Sequence, residues 1–196
     1  MSDANLTPED ILVRVQLTPN PYALKFISNH PFKLRGKATF ASQTEAEGYP
    51  LVMSLFGISG VSQVYLFQNQ LTLTHDGALT TQEIVQQAES VIKTRMPIHN
   101  AAFETEDEKQ TVAKPDRSTL SPELREVEEV LDRTIRPGLQ ADGGDVEVVS
   151  YKDDTISILY QGACGGCPSA MMGTLDAIQG ILQQELGKPD LKVRPL

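Results

Sequence analysis

A chain of 196 residues, 40% hydrophobic, is long enough for one large or two small domains and has the composition of a soluble globular protein. Its formal net charge of -9 argues against general nucleic-acid binding, which needs a basic surface, and against adhesion to anionic membranes. No apolar run approaches the ~20 residues of a transmembrane helix. Residues Met1 to Asp10 carry Asp3, Glu9 and Asp10 and lack both the basic start of a secretory signal and the Arg-rich character of a transit peptide. The two cysteines are adjacent in sequence and cannot build a disulfide framework, so a reducing, cytoplasmic setting is expected.

Hydrophobic alternation predicts a strand over Leu12 to Leu17, then turn punctuation at Thr18-Pro19-Asn20-Pro21 and a second strand from Tyr22 to Ser28. A third, short strand is predicted at Lys37 to Ala41. An apolar stripe of Leu51, Val52, Leu55 and Phe56 predicts a helix over about Glu45 to Phe56, stopped by Gly57 and Gly60. Val61 to Phe67 and Leu71 to His75 read as strands joined by a tight turn at Gln68-Asn69. Thr80 with Glu83 three residues on is a capping-box signature. The helix it opens carries Ile84, Val85, Ala88, Val91 and Ile92 on one face. These elements make a first α+β domain, 1–96, that contains no cysteine.

From Pro97 to Thr119 the composition is polar and includes the cluster Glu104-Thr105-Glu106-Asp107-Glu108-Lys109. It predicts a flexible acidic linker, 97–119, with a spacer role favoured over docking of a basic partner. A second domain, 120–196, opens with Ser121-Pro122-Glu123, a helix start with a capping serine and proline at the first position. Leu124, Val127, Leu131, Thr134 and Ile135 form the predicted buried stripe. Glu126, Glu128, Glu129 and Asp132 form the solvated face, and Pro137-Gly138 ends the helix. Asp142-Gly143-Gly144-Asp145 turns into a strand over Val146 to Tyr151, which returns from Thr155 to Tyr160 with Ile156, Ile158 and Tyr160 facing the core. A helix from Pro168 to Gly187 buries Met172, Leu175, Ile178, Leu182 and Leu186, and Leu191 to Val193 adds a short edge strand. The fold class is α+β: a β-rich N-terminal domain and an αββα(β) C-terminal domain.

The chemistry concentrates in Cys164-Gly165-Gly166-Cys167-Pro168, placed where a strand becomes a helix. Two glycines fold the backbone tightly and let both sulfurs point the same way. Pro168 suits the first helical position, and the positive end of that helix is expected to lower the thiol pKa values. The spacing by itself fits a redox pair, a zinc half-site or an iron–sulfur half-site. A thioredoxin-like pair needs a βαβ unit ahead of it, which this order of elements does not supply. A tetrahedral zinc or a cubane cluster takes four ligands, and one chain supplies two; the simplest completion is a second copy across a symmetric interface. His30, His75 and His99 all precede the linker, and His75 is read as a surface or core residue. Asp142 and Asp145 are read as turn residues, not as a metal site. Gly165 and Gly166 are geometric, with backbone N–H groups placed to donate to sulfur. Met172 is read as core and Met171 as a dimer contact. No nucleophile–base pair or phosphate loop appears, so no enzymatic activity is expected.

Leu139-Gln140-Ala141-Asp142-Gly143-Gly144-Asp145-Val146-Glu147, followed by Gly162-Ala163-Cys164-Gly165-Gly166-Cys167-Pro168-Ser169, resembles the C-terminal domain of the Nfu/NifU family of iron–sulfur cluster scaffolds and carriers. Thr18 to Ile27 and Glu45-Ala46-Glu47-Gly48 to Val64 resemble the N-terminal domain often joined to it. The resemblance implies a [4Fe–4S] cluster bound by Cys164 and Cys167 of two chains, a homodimer when loaded. It further implies delivery to apo-protein clients from assembly donors by thiolate exchange. Full NifU proteins carry further scaffold and ferredoxin-like domains that this sequence lacks, which favours carrying clusters over building them. A zinc-bridged dimeric binding module and a thiol–disulfide oxidoreductase remain the alternatives.

Overall fold

Strand alternation in the first hundred residues builds one antiparallel sheet, and every other residue of it faces a helical layer. The computed structural model describes residues 6–105, 121–165 and 168–196, with 168–172 described as backbone only. The chain divides into two compact units, Met1–Phe103 and Glu104–Leu196, and each is taken by itself. Both mix helix and strand, as an α+β chain should.

The first unit contains β1 (Val13–Leu17), β2 (Ala23–Ser28), β3 (Lys33–Phe40), α1 (Pro50–Phe56), β4 (Val61–Gln68), β5 (Gln70–His75) and α2 (Thr81–Arg95). Its five strands lie in the order β1-β2-β5-β4-β3, all antiparallel. Leu24, Phe26, Leu71, Leu73, Val64 and Leu66 point to one face of that sheet and bury against Leu51, Val52 and Leu55 of α1 and Ile84, Ala88 and Ile92 of α2. The α2 cap forms as the sequence predicts: Glu83 N–H donates to Thr80 Oγ1 at 3.3 Å, and Thr80 N–H donates to Glu83 Oε2 at 2.9 Å.

Three boundaries differ from expectation, each for a local reason. β3 starts at Lys33 and not at Lys37, because a register irregularity at Lys33/Lys37 with Gly36 at φ 65° lets the chain rejoin β4. α1 starts at Pro50 and not near Glu45, because Gly48 at φ 87° breaks the helix and Pro50 is favoured at the first turn. Residues 97–103, assigned to the linker from their composition, belong to the first unit. A 3-10 turn at Met96–Ile98 leads to Phe103, which is 9% exposed among Phe40, Tyr49 and His99. Lys33, itself buried, donates from Nζ to the Phe103 carbonyl at 2.6 Å, and Leu34 N–H donates to Ala101 O at 2.8 Å. One aromatic with distant partners outweighs a segment otherwise poor in large apolar residues. The rest of the predicted linker, 106–119, lies outside the described residues.

The second unit comprises α3 (Pro122–Val130), a π-helical turn at Leu131–Ile135, α4 (Arg136–Ala141), β6 (Gly144–Lys152), β7 (Thr155–Gly162), α5 (Pro168–Leu186) and β8 (Lys192–Pro195). β6 and β7 form an antiparallel hairpin, and β8 returns parallel to β7 after the α5 crossover. Val127, Val130, Leu131, Ile135 and Leu139 pack on Val146, Ile156, Ile158 and Tyr160 and on Ile178 and Leu182 of α5. Thr134, expected in the buried stripe, is exposed, and its hydroxyl donates to Val130 O at 2.6 Å.

The helix does not end at Pro137-Gly138. Proline has no N–H to return to the preceding turn and would clash with it. The chain widens before it, with Arg136 N–H donating to Leu131 O five residues back, and helix then resumes through Pro137. Continuation carries Arg136 to the start of β6.

Candidate metal centre

The strand-to-helix junction is built on glycines. Gly143 (φ 83°) turns α4 into β6, and Gly162 (φ 61°) turns the end of β7 back, both in the left-handed region that favours glycine. Gly144 and Gly162 are direct cross-strand partners. Ala163 N–H donates to Gly143 O at 3.0 Å, and Gly165 N–H donates to Gly162 O at 3.0 Å. These bonds hold residues 162–165 as a tight turn just ahead of α5.

Cys164 sits on that turn, half-buried against the core of the second unit. Its sulfur rests on Gly144: a β-carbon there would overlap Sγ and come within 2.9 Å of the Cys164 nitrogen and 3.0 Å of Gln161 O. Gly144 does not adopt a positive φ, so what it supplies is space. Cys167 lies outside the described residues, as do the side chains of Met171 and Met172. Gly165 is described and Gly166 is not.

The electrostatics at Cys164 run against expectation. Burial pushes its thiol up to about 12, and the nearby Asp142 and Asp145 carboxylates push the same way. Only the Asp145 backbone N–H acts downward. The lowering expected of this thiol is not found: desolvation and two carboxylates raise it instead, and the Cys167 thiol lies outside the described residues. Burial likewise raises the Tyr160 hydroxyl to about 12, with the Cys164 charge adding to it.

Asp145 is only 2% exposed, deeper burial than a turn residue requires. Its Oδ1 accepts from Val146 N–H at 2.7 Å, and Arg136 Nε lies 3.7 Å away. Arg136 also donates from Nε to Val146 O at 3.2 Å and from Nη1 to Glu128 Oε2 at 2.7 Å and Asp132 Oδ1 at 2.5 Å. Burial alone would lower the guanidinium's pKa; the bonds to Glu128 and Asp132 outweigh it and hold the group charged. Glu128, expected on the solvated face, is largely buried in this pair. The signal was present in sequence as acids four and eight residues before an arginine on one helix.

The histidines keep to the first unit. His75 Nδ1 accepts from Gly77 N–H at 3.2 Å, His99 Nε2 lies 2.6 Å from Phe32 O, and His30 is half-buried. Among the described residues, no three His, Cys, Asp or Glu side chains converge on one metal position.

Comparison with known proteins bears on both units. The NifU-like domain model matches residues 127–193, and the model described as scaffold protein Nfu/NifU N terminal matches residues 13–98. The chain belongs to the Nfu/NifU family. It is 29% identical over 179 residues to the mitochondrial NFU1 iron-sulfur cluster scaffold homolog of Drosophila ananassae, covering 89% of this chain and 60% of that protein. It is 28% identical to NifU-like protein 5, mitochondrial, of Arabidopsis thaliana (88% and 63% covered). The human mitochondrial NFU1 iron-sulfur cluster scaffold homolog is also 28% identical (88% and 67%). This Nfu/NifU chain therefore spans about three fifths of the length of the first two relatives. The Drosophila and human relatives are named iron-sulfur cluster scaffold homologs. The cytoplasmic expectation is corrected, because these relatives are named mitochondrial. Its basis was the composition of Met1 to Asp10 and the cysteine pattern, and neither decides a compartment.

Proposed function

We propose that this Nfu/NifU chain is an iron–sulfur cluster carrier. It holds a [4Fe–4S] cluster at a homodimer interface through Cys164 and Cys167 of each chain and passes it to apo-proteins. The observation that carries the reading is the seating of Cys164 on a glycine-built turn at a strand-to-helix junction, three residues before the second cysteine. A cubane cluster takes four thiolates, and two chains supply four.

The cluster is cargo, and transfer is ligand exchange without net oxidation or reduction. A client thiolate forms a bond to an iron as the Cys164 thiolate leaves it. The departing sulfur takes a proton readily, because its surroundings hold its pKa near 12 in the unloaded site. Burial and the carboxylates of Asp142 and Asp145 thus favour release as well as opposing loading. The first unit, extended from the expected 1–96 through Phe103, is proposed to select clients or donors, and the domain 120–196 to bind the cargo.

Anaerobic loading of the full chain with iron and sulfide tests the reading, alongside Cys164→Ser and Cys167→Ser. A visible-absorbing species that each substitution abolishes is expected. A colourless protein that retains zinc instead, or loading indifferent to both substitutions, would overturn it. Removal of residues 1–96 is expected to leave loading intact and to slow delivery to an apo-protein.

A further inference from the structure

We infer that Arg136 is the positioning residue for Cys164. It bolts the floor beneath the sulfur to the helix that packs behind it. The inference rests on the carrier reading for its consequence and on the apo fold for its geometry.

The sulfur of Cys164 lies on Gly144, and the next residue, Asp145, turns its backbone N–H toward that sulfur. Gly144 and Asp145 are the first residues of β6, where a strand end would otherwise fray. Arg136 stops this from the rear: its Nε donates to Val146 O at 3.2 Å and faces Asp145 Oδ1 at 3.7 Å. Its Nη1 is anchored on Glu128 and Asp132, about two turns and one turn back, in α3 and the π-helical turn. The guanidinium side chain is 12% exposed, so its bonds act with little competition from water. Gln140 Nε2 adds a longer donation to Asp145 Oδ2 at 3.4 Å.

The planar fork matters here. Nε and Nη1 reach a strand carbonyl on one side and two carboxylates on the other, from one rigid group. Lysine carries the charge but supplies a single nitrogen and cannot span both sides. Glutamine supplies neither the charge nor the reach. The π-helical turn sets the direction of the fork, since it rotates Arg136 relative to the residues before it.

The test compares the full chain with Arg136→Lys and Arg136→Gln by amide hydrogen exchange in the apo protein and by iron loss to a chelator after loading. In Arg136→Gln, exchange at Asp145, Val146 and Ala163 is expected to rise about tenfold, and iron loss to quicken by a similar factor, as when a partner behind a metal ligand is removed. Exchange at Ile156 and Ile178 should stay as in wild type, and Arg136→Lys should recover only part of both effects. Uniform acceleration at Ile156 and Ile178 would make Arg136 a merely structural residue and overturn the inference. So would wild-type exchange and iron retention in Arg136→Gln. If that variant fails to fold, Asp132→Asn, which removes one anchor, is expected to show the same pattern more weakly, and wild-type behaviour there overturns the inference. The exchange measurements need no cluster. A wild-type chain that takes up no iron while Arg136→Gln still opens at Ala163 would refute the carrier reading and leave the positioning role standing.

Discussion

Gly144 is the surface on which the Cys164 sulfur rests, and no other residue type leaves room for it. A β-carbon at that position would overlap Sγ and press the Cys164 backbone nitrogen to 2.9 Å. Gly144→Ala is therefore expected to displace the turn at 162–165. It should destabilise the second unit by about 1–3 kcal/mol, the usual cost of overpacking, and to abolish iron uptake. Thermal melting and iron content of the purified variant check this; normal loading would mean that the sulfur does not need this seat.

The raised thiol pKa predicts a pH profile. With Cys164 held protonated up to about pH 12, its alkylation by iodoacetamide in the apo protein should be slow at neutral pH. The rate should climb about tenfold per pH unit without levelling before pH 10, since only the thiolate reacts. Mass spectrometry of the alkylated peptide separates Cys164 from Cys167. Asp142→Asn removes one of the two carboxylates that raise the pKa and should quicken the reaction at fixed pH. A plateau near pH 8 would contradict the burial of this sulfur.

The first unit should weaken in acid through His99. Burial lowers the imidazole's pKa below its ordinary 6.5, and the bond to Phe32 O only partly opposes this. The unfolded chain thus binds a proton that the folded one resists, so stability falls as pH drops through 6.5 and below. His75 shifts in the same direction, again through burial. Denaturant midpoints of residues 1–103 from pH 7.5 to 5 should decline, and His99→Gln should flatten part of that slope. A midpoint constant across this range would show that neither imidazole is protected.

Phe103 closes the first unit, and cutting it away should be costly. Its ring packs on Tyr49 at 4.8 Å between centroids and lies 4.4 Å from Lys33 Nζ. A fragment ending at residue 103 is expected to be about 3 kcal/mol or more stable than one ending at 96, the scale of losing a buried aromatic. Equal melting temperatures would return residues 97–103 to the linker.

Sequence reading succeeded where the signal was local. The α2 capping box, the glycine turns and the placement of Cys164 depend on neighbours within a few residues, and the pattern carries them. It failed where a distant partner decides. Phe103 stands in a stretch whose composition suggests a spacer, and distant partners, Lys33, Phe40 and Tyr49, make it core. Pro137 reads as a stop, yet a π-helical turn absorbs the missing donor and delivers Arg136 to β6. Asp145 reads as one more turn residue until the fold buries it beside that arginine. The thiol pKa was misjudged because the helix end was weighed without the desolvation and the two carboxylates that the fold brings to the sulfur.

Native mass spectrometry of the anaerobically loaded full chain reads cluster and stoichiometry together and so decides whether two chains share one cluster. One cluster of about four irons and four sulfides on a dimer is expected, lost together with the dimer in Cys164→Ser, as four shared thiolates require. A metal-bearing monomer, or a dimer holding zinc and no sulfide, would contradict it.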